Sequence, residues 1–376
     1  MVNTALRFVY PFLPAIARGL GVDLTQAGML VSARWAAGLA TPAVMSFSGD
    51  VSRSRRLLIW GLATFSAGSV VTAWAGMFAG AVIGFALLGL AKPMVDIGAQ
   101  VYISERVPYG SRARYLGTLE IAWAGGLLVG APVAGWLIEN WSWEAPFWAL
   151  GSAGALGLGL ALLVLDHNDE AVSNPAHKAD DSPGRQVILL MTAASLFAYA
   201  HESLLVTLGG WLEGSFDMSL LALGGVGTLV GVSELVGEGA MVGFTDRIGK
   251  RNSVALGFGV AALAVFVLSL VSDLLFPAIS ALVLAAVALE FGYISAIPLM
   301  TELRPRSRTR VLALFAVANG LGRIGGDLIA PRVFERAGMR GVTLMAFFVI
   351  LGSLVVVISG VRDVGVLPKV RSSLGR

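Results

Sequence analysis

Long apolar runs separated by short polar breaks fill the chain from one end to the other. They fall at about 3–20, 26–48, 57–77, 79–104, 114–138, 145–166, 187–209, 220–243, 253–272, 275–301, 311–331 and 341–361. Roughly 20 mostly apolar residues suffice to cross a bilayer as a helix. Lipid offers the backbone no hydrogen-bond partners, so a spanning segment must be a helix or part of a closed barrel. Alternating strands of the barrel type are absent. The pattern therefore predicts an all-α integral membrane protein with 12 transmembrane helices.

Two unrelated polar motifs recur at nearly one offset. Asp50–Arg56 (DVSRSRR) returns as Asp246–Arg251 (DRIGKR), 196 positions on. Ser104–Leu116 (SERVPYGSRARYL) returns as Thr301–Leu312 (TELRPRSRTRVL), 197 positions on and one residue shorter. The chain thus reads as two copies of one membrane unit. The one long hydrophilic stretch, HNDEAVSNPAHKADDSPGRQ, lies at mid-chain and has linker composition. The expected organisation is an N-terminal six-helix bundle over 1–166, a cytoplasmic linker over 167–186, and a C-terminal six-helix bundle with a short tail over 187–376. Six crossings per copy make the two repeats parallel.

Composition agrees with this. The chain is 56% hydrophobic and 14% charged, against about 25% charged in soluble domains. Mean hydropathy is +0.78. The net charge of +3 resides in short loops, which reads as the positive-inside bias rather than nucleic-acid binding. Basic residues such as Arg53, Arg106, Arg112, Arg185 and Arg304 share one side; Arg332, Arg336 and Arg340 are the exceptions. Both termini are expected in the cytoplasm of a multi-pass protein of the cytoplasmic (inner) membrane. The first span begins close to Met1, which leaves room for an earlier start. There is no cysteine, no P-loop, and only three His, with no pairing suited to a metal. An enzyme is therefore not expected, nor a cofactor. Gly257–Phe258–Gly259 imitates a dinucleotide fingerprint but sits inside a span, where helix packing explains it.

Charge inside a bilayer is costly and faces protein or water. Candidates are Arg34, Lys92, Asp96, Glu120, His201, Glu202, Glu234, Glu238, Glu290, Arg323 and Asp327. Spans 3, 6, 9 and 12 carry none, which predicts four peripheral helices around eight that border a polar cavity. Lys92–Asp96 and Arg323–Asp327 are opposite charges four apart on one helix and read as neutralised pairs. Glu234 and Glu238 share a face and repel, which suits a carboxyl that binds and releases a proton. Proton-coupling candidates are Asp96, Glu202, Glu234, Glu238 and Glu290, with Glu202 and Glu290 near mid-membrane. Cavity candidates are Tyr10, Arg34, Lys92, Trp123, His201 and Tyr293, with Trp35 as a further lining side chain.

The motif DRIGKR resembles the loop signature of the major facilitator superfamily, G-x-x-x-D-R-x-G-R/K-R/K. Asp246, Arg247, Gly249, Lys250 and Arg251 match it, and Val242 stands in place of the leading Gly. In the first copy Asp50, Arg55 and Arg56 fit with one inserted residue, while Ser46 and Val51 depart. Span 5, with Gly126, Gly130, Pro132 and Gly135, is similar to the antiporter motif of the drug:proton antiporters of that family, with Ala131 inserted. Its alternative reading is close packing, supported by the recurrence of Gly126–Gly130 as Gly322–Gly326 and expected between the halves. The resemblance implies two bundles rocking about a central site, with Glu105 and Glu302 as partners for the loop charges. The expected function is proton-coupled efflux of amphipathic or drug-like compounds. Alternatives are an importer or uniporter of a small, possibly anionic metabolite, and a non-transporting sensor. Expected partners are a small-molecule substrate, protons and the lipid bilayer, with the protein a monomer and no nucleic acid.

Overall fold

A computed structural model describes residues 1–48, 54–108, 111, 115, 125–165, 184–303 and 308–361. Asp50, Glu120, Trp123, the linker positions 166–183 and loop positions 304–307 lie outside them.

The elements are α1 (Val2–Arg7), α2 (Val9–Leu20), α3 (Leu24–Ser48), α4 (Ser54–Ala73), α5 (Phe78–Arg106), α6 (Gly130–Asn140), α7 (Ala145–Val164), α8 (Arg185–Phe216), α9 (Leu220–Ile248), α10 (Lys250–Val271), α11 (Leu275–Leu303) and α12 (Arg308–Gly360). Phe8 between α1 and α2 keeps helical dihedrals, so these two form one crossing. α12 breaks at Gly338, whose φ of 61° only glycine adopts readily, and makes two. Among the described residues, eight helices satisfy the length and composition of a span. Taken in order, with α6 as the end of the fifth crossing, the elements follow the twelve expected.

The duplication is visible in local chemistry. α2 ends at left-handed Gly21 and α8 at left-handed Asp217, 196 positions apart. Next, Asp23 and Gln26 form a reciprocal capping box, the Gln26 N–H donating to Asp23 Oδ1 at 2.6 Å. At the matching place Ser219 Oγ accepts from the Ala222 N–H at 3.3 Å. The same holds at the other end. Arg55 Nε donates to the Leu165 carbonyl at 3.1 Å, and Arg251 Nε to the Val361 carbonyl at 2.6 Å. Both donor and acceptor are displaced by 196 positions.

Among the described residues, the principal seams between the elements before the linker and those after it are α2 on α8, α3 on α12, and α6 on α9. Glycine permits each. A Cβ on Gly209 would lie 2.2 Å from the Pro11 carbonyl oxygen, one on Gly28 2.5 Å from that of Asp327, and one on Gly224 2.9 Å from that of Ala131. These contacts crowd the end that carries the 21–23, 141–144 and 217–219 turns, as do the Arg18–Glu213 pair at 2.8 Å and the Thr25–Glu335 hydrogen bonds. That end is closed.

The pairing of small residues differs from expectation. Gly126 and Gly130 abut Asn3 and Thr4, while Gly322 and Gly326 abut Ser195 and Tyr199. Both pairs pack within a half, because each stripe faces the first helix of its own copy. In the span 5 motif it is Gly135, against the Leu220 carbonyl, that reaches across. Gly257 meets Gly292 of α11, as helix packing requires. Helices α4, α7 and α10 make their principal contacts inside their own half. Of the most apolar stretch of α7 only 17% is buried, against 67% for α8, which makes α7 peripheral and α8 central.

Candidate functional site

Two clusters of buried ionisable groups sit where the halves meet. In the first, Arg7 ends α1 and pairs with Glu234 of α9, each side chain 6% exposed. His201 Nε2 lies 4.0 Å from the same carboxylate. The His201 ring stacks on Phe197, which also stacks on Phe258 and Tyr293, and Tyr293 stacks on Phe315. This aromatic ladder belongs wholly to the second half and fixes His201 beside Glu234. The charges of Glu234, Arg7, Glu238 and Arg323 all act on Glu290 of α11. Gly237 lets α9 approach closely, since a Cβ there would lie 2.9 Å from Glu290 Cβ.

The second cluster centres on Glu202 of α8, fully buried. Tyr10 Oη donates to its Oε1, as does Trp35 Nε1 at 3.0 Å. Arg323 Nη1 donates to Oε2 at 2.6 Å. A carboxylate can accept about four hydrogen bonds, so three donors nearly saturate it and make its burial tolerable. Two of the three come from the first half. Arg34 orients Tyr10, donating to Tyr10 Oη at 2.8 Å and to the Leu6 carbonyl at 2.5 Å. The guanidinium groups of Arg323 and Arg34 lie over the Trp35 ring at 4.7 and 5.6 Å from its centroid.

Arg323 does not pair with Asp327, contrary to their spacing. It is braced by Asn319 Oδ1 at 2.8 Å and turned toward α8. Gly322 and Gly326 bring α12 against α8, so Glu202 competes for the guanidinium and wins. Asp327 is left fully buried, with neither carboxylate oxygen hydrogen-bonded among the described residues. Lys92 and Asp96 do pair within α5.

At the opposite end Lys250 pairs with Glu302, and Ser54 Oγ donates to Glu105 Oε2 at 2.7 Å. Arg106 also reaches Glu105 at 3.3 Å. Asp246 and Arg247 are exposed, with no ion pair of theirs among the described residues; Arg56 is likewise exposed. Gly249 joins α9 to α10 at φ 92°. Sequence reasoning missed Arg7, although the rule that selected Arg34 applies to it, and missed Asn319. It took Asp327 only as a packing partner. A shallow cavity of about 440 Å³ opens at the closed end between Pro14, Arg18, Leu24, Gly210 and Glu213; no buried ionisable group lines it. No group of His, Asp and Glu suited to a metal occurs among the described residues.

Comparison with known proteins gives one consistent result. The family model described as Major Facilitator Superfamily matches residues 1–326. The uncharacterized MFS-type transporter YwfA of Bacillus subtilis (strain 168) is 24% identical over 358 residues, covering 92% of this chain and 85% of YwfA. The uncharacterized MFS-type transporter YceJ of the same organism is 22% identical over 350 residues, covering 89% and 87%. Among solved structures, a D-xylose–proton symporter superimposes with a TM-score of 0.70 at 15% identity, covering 96% of this chain and 97% of that one. An inward-facing, unoccupied bacterial homologue of the human lysosomal transporter Spinster gives 0.67 at 16%, covering 96% and 93%.

Proposed function

This chain belongs to the Major Facilitator Superfamily and is a multi-pass membrane transporter; from that premise we propose that it is a proton-coupled secondary transporter that exports amphipathic compounds by alternating access. The observation that carries this reading is the placement of Glu234 and Glu202. Each carboxylate sits in the second half and takes donors from the first. The closed end cannot open without separating them, and a proton on either carboxylate weakens the hold by removing its charge. Protonation and opening are therefore linked energetically, which is what coupling requires. The basic loops support a cytoplasmic position for both termini, and on that reading the closed end is the outer one and the arrangement faces inward. The aromatic ladder from Phe258 to Phe315 sets stacked apolar rings beside the acidic cluster of Glu234, a combination that suits an amphipathic, cationic cargo.

Import of an anionic metabolite rested on Lys92, and the Lys92–Asp96 pair weakens that support. The symporter neighbour shares the fold at 15% identity and lends import no further weight. The test is flux in inside-out vesicles with an imposed proton gradient. Expected is uptake of lipophilic cations that collapses with a protonophore. Flux indifferent to the gradient overturns the coupling; flux of anions alone overturns the cargo class.

A further inference from the structure

Asp327 is a buried ionisable side chain at the α3–α12 seam that the scheme above does not use. It lies fully buried, and both carboxyl oxygens lack a hydrogen-bond partner among the described residues. An ionised carboxylate in that position would forfeit its hydration with no hydrogen bond in return. The groups whose charges reach it are Glu202 from α8, Arg34 from α3, Tyr10 from α2 and Arg323 from its own helix. Of the two guanidinium groups, Arg34 is committed to Leu6 and Tyr10, and Arg323 to Glu202 and Asn319.

Its place in the fold is equally specific. Four helical residues, at about 1.5 Å rise each, set it roughly 6 Å from Arg323 toward the closed end. There its backbone abuts the first half: a Cβ on Gly28 would lie 2.5 Å from the Asp327 carbonyl oxygen and 3.0 Å from Pro331 Cγ. Parting of α3 from α12 would admit water to the carboxyl. The same movement would draw Tyr10 and Trp35 away from Glu202.

We propose that Asp327 takes up a proton from the water on that side as the seam closes, and that Arg323 expels it by passing from Glu202 to Asp327. The inference rests on the proton-coupled reading above and names its carrier. On closing, the Asp327 carboxylate gains an O–H bond to a proton from water, and the neutral acid is buried. Glu202 meanwhile holds Arg323 through the contact seen here. When a cationic cargo or a proton neutralises Glu202, Arg323 is released. Four residues from Asp327 on one helix face, it can pair with that side chain instead. The O–H bond then breaks, the electron pair stays on the carboxylate, and the proton leaves toward the opposite side. Arg323 thereby converts occupancy at Glu202 into proton release at Asp327.

The test is infrared difference spectroscopy of the purified full-length protein, reading the carbonyl stretch of a protonated carboxylic acid. Expected is a band present in the wild type, lost in Asp327→Asn, and lost also in Glu202→Gln, where Asp327 itself is untouched but Arg323 is freed. Thermal unfolding of Asp327→Asn should shift little, because a neutral amide replaces a neutral acid, and uphill transport should be lost while cargo exchange persists. Absence of the band in the wild type overturns the carrier. Its persistence in Glu202→Gln overturns the arginine exchange. If both spectral results hold but transport ignores the proton gradient, the coupled reading fails and the carrier role with it, while the exchange between Glu202 and Asp327 stands.

Discussion

Arg7 and Glu234, 227 positions apart in the chain, meet as a buried ion pair between the two halves. Neither side chain has water to fall back on. Removing one member leaves the other's charge buried, which typically costs about 3–5 kcal/mol. Glu234→Ala should lower the unfolding temperature in detergent markedly, while Arg7→Met combined with Glu234→Leu should recover most of the loss. An additive double variant would show that the two side chains do not depend on each other.

Glu202 loses one charge-assisted donor in Tyr10→Phe and another in Trp35→Phe. Each should destabilise the closed arrangement by about 1–3 kcal/mol. The chain has no cysteine, so spin labels can be attached at Arg18→Cys and Glu213→Cys without background. The distance between them should shift toward longer values in either variant. An unchanged distribution would mean that these donors do not hold the seam.

Glycines at the seams provide a steric test. Gly28→Ala puts a methyl 2.5 Å from the Asp327 carbonyl oxygen, whereas Gly225→Ala meets nothing within 4 Å. Overpacking of this kind costs roughly 1–3 kcal/mol. Gly28→Ala should populate the opened end, measured with the same spin labels, and Gly225→Ala should leave the distance distribution as it is.

Asp246 is exposed in the last turn of α9. Reversing its charge, Asp246→Lys, should slow transport while moving stability by no more than about 0.5 kcal/mol, as surface substitutions usually do. Vesicle flux beside a thermal melt separates the two effects. Undiminished flux removes this residue from any gating role.

Much of the architecture can be read from residue order, because lipid imposes a simple rule on span length and the duplication repeats its turn chemistry. Gly21 with Asp217, and Arg55 with Arg251, fall at one offset in sequence and play one role each in space. Buried His201, Glu202 and Glu234 were found because a charge in an apolar run is conspicuous. Partner choice was hidden. Arg323 and Asp327 stand at the ideal spacing for a pair, yet the approach of α8 decides the contact. Likewise the Gly126–Gly130 stripe declares close packing without saying against which helix, and it is α1 that meets it. Arg7 escaped because it lies near the start of the first apolar run, where a charge reads as the edge of a span.

The arginine ties at Leu165 and Val361 are addressed to main-chain oxygens. Such an acceptor is supplied by any amino acid, so the receiving position is free to drift over evolutionary time, as its two versions already have. The donor enjoys no such licence. Divergence between the two copies should therefore accumulate on the accepting side and stay frozen at the guanidinium, a lopsided tolerance that a saturation library over all four positions would register directly.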